Sequence, residues 1–235
     1  MSTPAQRAAG PADTRAGRGI CHILSGSARN ASRGPGGRTV ASSHFLQRGR
    51  DIVICYGESV LDLVDELVDA YAEVFSAPPW NEDAETIRRF GPRLRADSRR
   101  HGFRTALAQS EAGVDGFATA WLTPPDLPTG RAYGQVAAQL GPARVRRLLT
   151  GALEVDELAV RPFARGRGTG RALLAEITAD APDGRAWLLT SRIATDTVAT
   201  YRRLGWHEVA PLPGAPERTA VVVFLAPHHP GAAGL

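Results

Sequence analysis

The string Arg165-Gly-Arg-Gly-Thr-Gly-Arg171 constrains this chain more than any other stretch in it. It lies between an apolar run, Leu153–Val160, and a helical pattern over Arg171–Ala181 with Leu173, Leu174 and Ile177 inward. Strand, glycine turn and helix in that order point to an α/β fold. A helix N-terminus leaves backbone N–H groups unpaired and carries partial positive charge. Glycines let that backbone approach a ligand closely. The turn therefore reads as a phosphate or pyrophosphate site, with Arg165, Arg167 and Arg171 adding charge around it.

Two familiar phosphate loops do not fit. A P-loop needs a lysine, and all 28 basic residues here are arginine. A dinucleotide fingerprint counted from Gly166 passes through Gly168 but meets Arg171 at its third glycine. No acid ends the next strand, where Leu189-Thr190-Ser191 stands.

The rest of the chain supplies the elements around this unit. Asp51–Tyr56 is β-branched and apolar and predicts a strand. From Ser59, an expected N-cap, apolar residues recur at helical spacing to Phe75. A second helix is expected over 84–100, with Gly91-Pro92 a point where it could split. Phe103–Gln109 and Val114–Leu122 read as a hairpin, and Pro124–Gly130 as a loop. Residues 133–150 suggest only a short helix. Ala186–Thr190 reads as a buried strand and Ala194–Leu204 as a helix with Gly205 at C′. Strands Trp206–Ala210 and Thr219–Leu225 close the body.

Charge divides the chain. The pI near 9.7 comes from residues 1–50, which hold eight Arg and one acid. Residues 51–235 hold twenty Arg and twenty-three acids, so the body is mildly acidic. A nucleic-acid partner is therefore not expected. Residues 1–50 are expected to be a disordered Arg/Gly/Ala/Ser-rich extension. Residues 51–226 form the expected domain, and 227–235 a short tail. No apolar run reaches membrane-span length. Two cysteines without C-x-x-C indicate no disulfide framework, and no metal motif stands out. A cytoplasmic setting is expected.

Leu158-Ala-Val-Arg-Pro-Phe-Ala-Arg-Gly-Arg-Gly-Thr-Gly-Arg-Ala-Leu-Leu174 resembles the acetyl-CoA motif of the GNAT superfamily of N-acetyltransferases. The family pattern [QR]-x-x-G-x-[GA] is met by Arg165, Gly168 and Gly170, after a strand ending with Val160 and Pro162. Tyr201-Arg-Arg-Leu-Gly-Trp206 resembles the second family block. The resemblance implies a mixed, twisted sheet of about six to seven strands flanked by about four helices. It places pantetheine along Leu158, Ala159 and Val160. It sets the pyrophosphate on the amides of Arg165, Gly166, Arg167, Gly168, Thr169, Gly170 and Arg171. Many members carry an Asn about seven residues before the tyrosine; here Ala194 stands there, with Ser191, Arg192 or Thr195 as substitutes.

The implied reaction is acetyl transfer from acetyl-CoA to an amine within a ternary complex. It needs a base for the ammonium and an acid for the leaving thiolate. The resemblance assigns the acid to Tyr201. Glu154 and Glu157 are both candidates for the base, Asp156 is a weaker third, and a water relay is a further route. The acceptor walls are expected from Trp80, Glu82 and Asp83 in the link between the first helices, and from Trp121. A small cationic amine or a peptide amine is the expected acceptor, and a homodimer is compatible with the family. The alternative is an acetyl-CoA-binding sensor or interaction module of the same fold.

Overall fold

The computed structural model describes residues 52–128, 130, 132–215 and 220–234. The extension expected over 1–50 lies outside them. Strands β1 (Ile52–Tyr56), β2 (Arg104–Ser110), β3 (Gly113–Leu122), β4 (Leu153–Val160), β5 (Ala186–Ser191), β6 (His207–Glu208) and β7 (Val221–Leu225) form one mixed sheet. Its order is β1-β2-β3-β4-β5-β7-β6. All neighbours are antiparallel except β4 and β5.

Helices α1 (Val64–Phe75), α2 (Ala84–Asp97), α3 (Tyr133–Arg144), α4 (Thr169–Thr178) and α5 (Thr195–Arg203) cover both faces. On one face, α1 and α2 pack over β1–β4 through Leu67, Tyr71, Phe90 and Phe117. Beside them, α3 packs over β5 and β7 through Val136, Leu140, Trp187 and Val223. On the opposite face, α4 and α5 bury Leu173, Leu174, Ile177, Val198 and Tyr201. The sheet is thus sandwiched between helical layers.

Several local expectations are corrected. The first helix opens with a 3₁₀ stretch, Gly57–Leu63. Ser59 does not cap α1; its hydroxyl donates to the Tyr56 carbonyl. α2 runs unbroken through Pro92, with Gly91 buried against α1. A Cβ on Gly91 would stand 3.3 Å from Val68 Cγ2, so the glycine permits close helix packing. The weakly patterned stretch 133–150 is helical in two pieces, kinked at Gly141 (φ +65°), and ends in a π-type turn, Val145–Leu149. The Trp206–Ala210 strand shrinks to two residues. The C-terminal tail packs inward: His229 is buried, and its Nε2 lies 2.9 Å from the Leu148 carbonyl. Among the described residues, no helix is long and apolar enough to cross a membrane.

Candidate active site

The site starts from a break in the sheet. β4 and β5 pair only at Leu153–Ala186, Glu154–Trp187 and Val155–Leu188. Beyond Val155 the two strands part, so Asp156–Val160 face an open gap. The Arg161 N–H donates to Asp115 O at 2.9 Å. By antiparallel alternation, Ala159, opposite Phe117, also turns its N–H and C=O toward β3. Leu158 and Val160 turn theirs into the gap. Arg165 Nε already donates to the Val160 carbonyl at 3.0 Å.

The glycine turn closes one end of the gap. Gly168 is the N-cap of α4 in a left-handed conformation, φ +78°. Gly166 is also left-handed, φ +71°, and at neither position would a Cβ meet an atom within 4 Å. Open space beside both glycines is what a ligand drawn onto the backbone requires. The Thr169 hydroxyl donates to Ala164 O and ties the turn to the helix. The first bond into α4 runs from Ala172 N–H to Gly168 O, so the Gly170 and Arg171 amides point out of the helix end. Arg165, Arg167 and Arg171 are all exposed around it.

A bulge in β4 sets the carboxylates. Thr119 pairs with Glu157 but Ala120 pairs with Val155, so Asp156 is inserted between them. The Glu157 N–H reaches the Thr119 hydroxyl at 3.3 Å. Thr119 and Trp121 share a face, and their partners Glu157 and Glu154 therefore share it too. That face is the one covered by α1, α2 and α3.

The two glutamates have different company. Glu157 pairs with Arg93 of α2 at 2.5 Å. Arg93 also reaches the Tyr71 hydroxyl, which donates to Glu82 at 2.7 Å. Burial pulls the Arg93 guanidinium down, but Glu157 and its other acidic neighbours more than offset this and raise it overall. Burial, then Glu157, push the Tyr71 phenol well above its ordinary range. Glu154 is only 3% exposed and accepts from the Tyr133 hydroxyl at 2.7 Å. Glu154, Val155, Asp156, Ala132, Tyr133 and Leu189 line a small recess beside the gap.

Tyr201 stands on the opposite side, on α5. A Schellman motif fixes the end of that helix: Trp206 N–H donates to Tyr201 O and Gly205 N–H to Arg202 O. The ring packs on Phe224 and Trp206. Burial first, and then the Glu157 carboxylate, push its phenol well above the ordinary tyrosine value. It stays protonated throughout the physiological range.

The expected acceptor walls are engaged structurally. Asp83 caps α2 through Thr86 N–H, which with the Thr86 side chain lowers its carboxyl. Glu82 holds Tyr71, and half-buried Trp80 packs on Phe75. Trp121 is 1% exposed beneath Arg100. Arg93 and Tyr133 were missed by sequence reasoning. Their partners lie 64 and 21 residues away, and no local spacing signals either pair.

The acetyltransferase (GNAT) domain family model matches residues 130–208, which hold the recess, the gap, the glycine turn and Tyr201. A protein of Pyrococcus horikoshii shares the fold at 15% identity and TM-score 0.51, over 75% of this chain and 98% of that one. An acetyltransferase from Thermus thermophilus does so at 16% and 0.50, over 74% and 94%. A Corynebacterium glutamicum protein described as histone acetyltransferase HPA2 and related acetyltransferase does so at 19% and 0.50, over 75% and 96%. No curated protein matches the sequence. Residues 130–208 thus match the acetyltransferase (GNAT) domain model within a mixed α/β fold that the chain shares with these structures.

Proposed function

We propose that this protein is an N-acetyltransferase that moves an acetyl group from acetyl-CoA to a cationic amine, small or peptidic. The observation that carries the reading is the gap between β4 and β5, ending at a glycine-built helix N-terminus and overlooked by Tyr201. Leu158 and Val160 offer backbone groups to the pantetheine amides. Ala159 contributes its position in the strand and not its backbone hydrogen bonds. The amides of Gly166 to Arg171 and the nearby arginines receive the pyrophosphate.

Acetyl-CoA supplies the thioester carbon. Glu154 takes one proton from the ammonium, directly or through a water, so that the nitrogen can attack that carbon. Glu157, which pairs with Arg93, is the alternative base. As the C–S bond breaks, Tyr201 gives its proton to the sulfur. It regains one from the nitrogen of the new amide, and the proton on Glu154 returns to solvent. The products are the acetylated amine, free CoA and one proton.

The acceptor enters from the side of α1 and α3. Among the described residues there, Glu154, Asp156 and Glu157 outnumber Arg93, which favours an ammonium group. A panel of amines incubated with acetyl-CoA, read by mass and by CoA release, tests the reading. Acetylation of one amine class is expected; CoA binding with no product on any amine overturns it.

A further inference from the structure

Glu154 and Tyr133 form a pair that the transfer chemistry above does not explain. Tyr133 is the first residue of α3, a helix standing between β3 and β4 in the chain. Its ring is 2% exposed and packs with Val136, Leu140, Trp187 and Val223. Its hydroxyl donates to Glu154 Oε1 at 2.7 Å. Both residues line the recess beside the gap. A buried aromatic ring is a stiff arm, and its hydroxyl is fixed by the packing of the ring.

We infer that Tyr133 is a positioning residue, which holds the Glu154 carboxylate toward the gap and sets the pH range in which it accepts a proton. The inference rests on the N-acetyltransferase reading for its catalytic consequence. A hydrogen bond donated to a carboxylate stabilises the charged form and makes protonation harder. Glu154 therefore stays ionised to lower pH than the same buried carboxylate without its tyrosine. Among the described residues, the charged groups near it include Asp156 in the same recess, Glu157 across the bulge, and Arg93 reaching in from α2. None of them belongs to α3, so changing Tyr133 leaves the charge count of the site unchanged.

The test uses the full chain with Tyr133→Phe, which removes one oxygen and keeps the ring. Two readouts are taken. One is the pH profile of kcat for acetyl transfer. The other is the carboxyl ¹³C titration of Glu154, assigned by the signal lost in Glu154→Gln. Both midpoints are expected to move up by about one pH unit, because a hydrogen bond to a charged group is lost. The KM for acetyl-CoA is expected to stay unchanged.

Difluorotyrosine at position 133 keeps the shape and is a stronger donor, so it moves both midpoints down. It serves as well if the phenylalanine variant fails to fold. A Glu154 titration indifferent to both changes overturns the pair. A shifted titration with an unshifted rate profile overturns the catalytic role of the pair. Absence of any transfer by the unmodified protein overturns the N-acetyltransferase reading instead, and the titration still decides whether Tyr133 controls Glu154.

Discussion

Glu154 and Glu157 lie three residues apart on β4 yet share one face of the sheet, because Asp156 is bulged out between them. An unbroken strand would have turned one of them toward α4 and α5. The bulge therefore gathers both carboxylates on the face covered by α1, α2 and α3, while Tyr201 packs on the opposite face.

Tyr201→Phe is expected to lower kcat by about 10²-fold or more, the usual loss for a missing general acid. KM for acetyl-CoA should change little, because the ring and its packing on Trp206 and Phe224 remain. Steady-state CoA release at saturating amine checks this. A wild-type kcat would remove Tyr201 from the reaction.

Arg93→Met removes the cation shared by Glu157 and Tyr71. Glu157 is then left mostly buried beside the Tyr71–Glu82 bond. The expected loss of stability is about 1–3 kcal/mol, below the figure for a fully buried pair because Arg93 is 31% exposed. Denaturant unfolding gives the value. Double substitution with Glu157→Gln should cost less than the sum of the two single changes.

Gly168→Ala forces a side chain into a left-handed turn, at about 1–2 kcal/mol. It also sets a methyl in the space assigned to the pyrophosphate. Gly214→Ala is the matched control: φ is +80°, and no atom lies within 4 Å of its Cβ. Both variants should lose similar stability in thermal melts. Only Gly168→Ala should raise the KM for acetyl-CoA, by about tenfold, since lost close approach costs a hydrogen bond or more.

His229 gives the fold a pH dependence. Burial lowers its pKa, and the Leu148 carbonyl only partly offsets this. The unfolded chain then binds a proton more readily, so this contribution is full above about pH 6.5 and declines as pH falls below it. Melting temperature should drop between pH 7.5 and 5. His229→Gln should flatten that slope; an equal slope in both proteins would exclude His229 as its source.

Much of this was legible in the chain. Leu153–Val160 was readable as a strand because its apolar residues are bounded by a glycine turn that must leave the sheet. Tyr201 and Trp206 were readable because a glycine between them ends a helix. The bulge has no mark in β4 alone, since register depends on β3 as much as on β4. The residues around Glu154 and Glu157 were not readable. Tyr133 lies in a stretch broken by Gly134 and Gly141-Pro142, whose apolar spacing is weak, and α3 is ordered by tertiary packing against Trp187 and Val223. Arg93 looked like one more charge on an arginine-rich helix. Asp83 and Glu82 invited a ligand reading, yet a helix cap and a tyrosine partner already engage them.

The three-residue seam between β4 and β5 makes the sheet a fork. One prong is the antiparallel ribbon β1–β4, and the other is β5, β7 and β6. Past the crotch at Val155 no ladder joins the prongs, so their spread can change without breaking a rung. A guest lying between them takes the place of the missing rungs. The angle of the fork, and with it the reach of Tyr201 toward β4, is thus set in part by what lies in the gap.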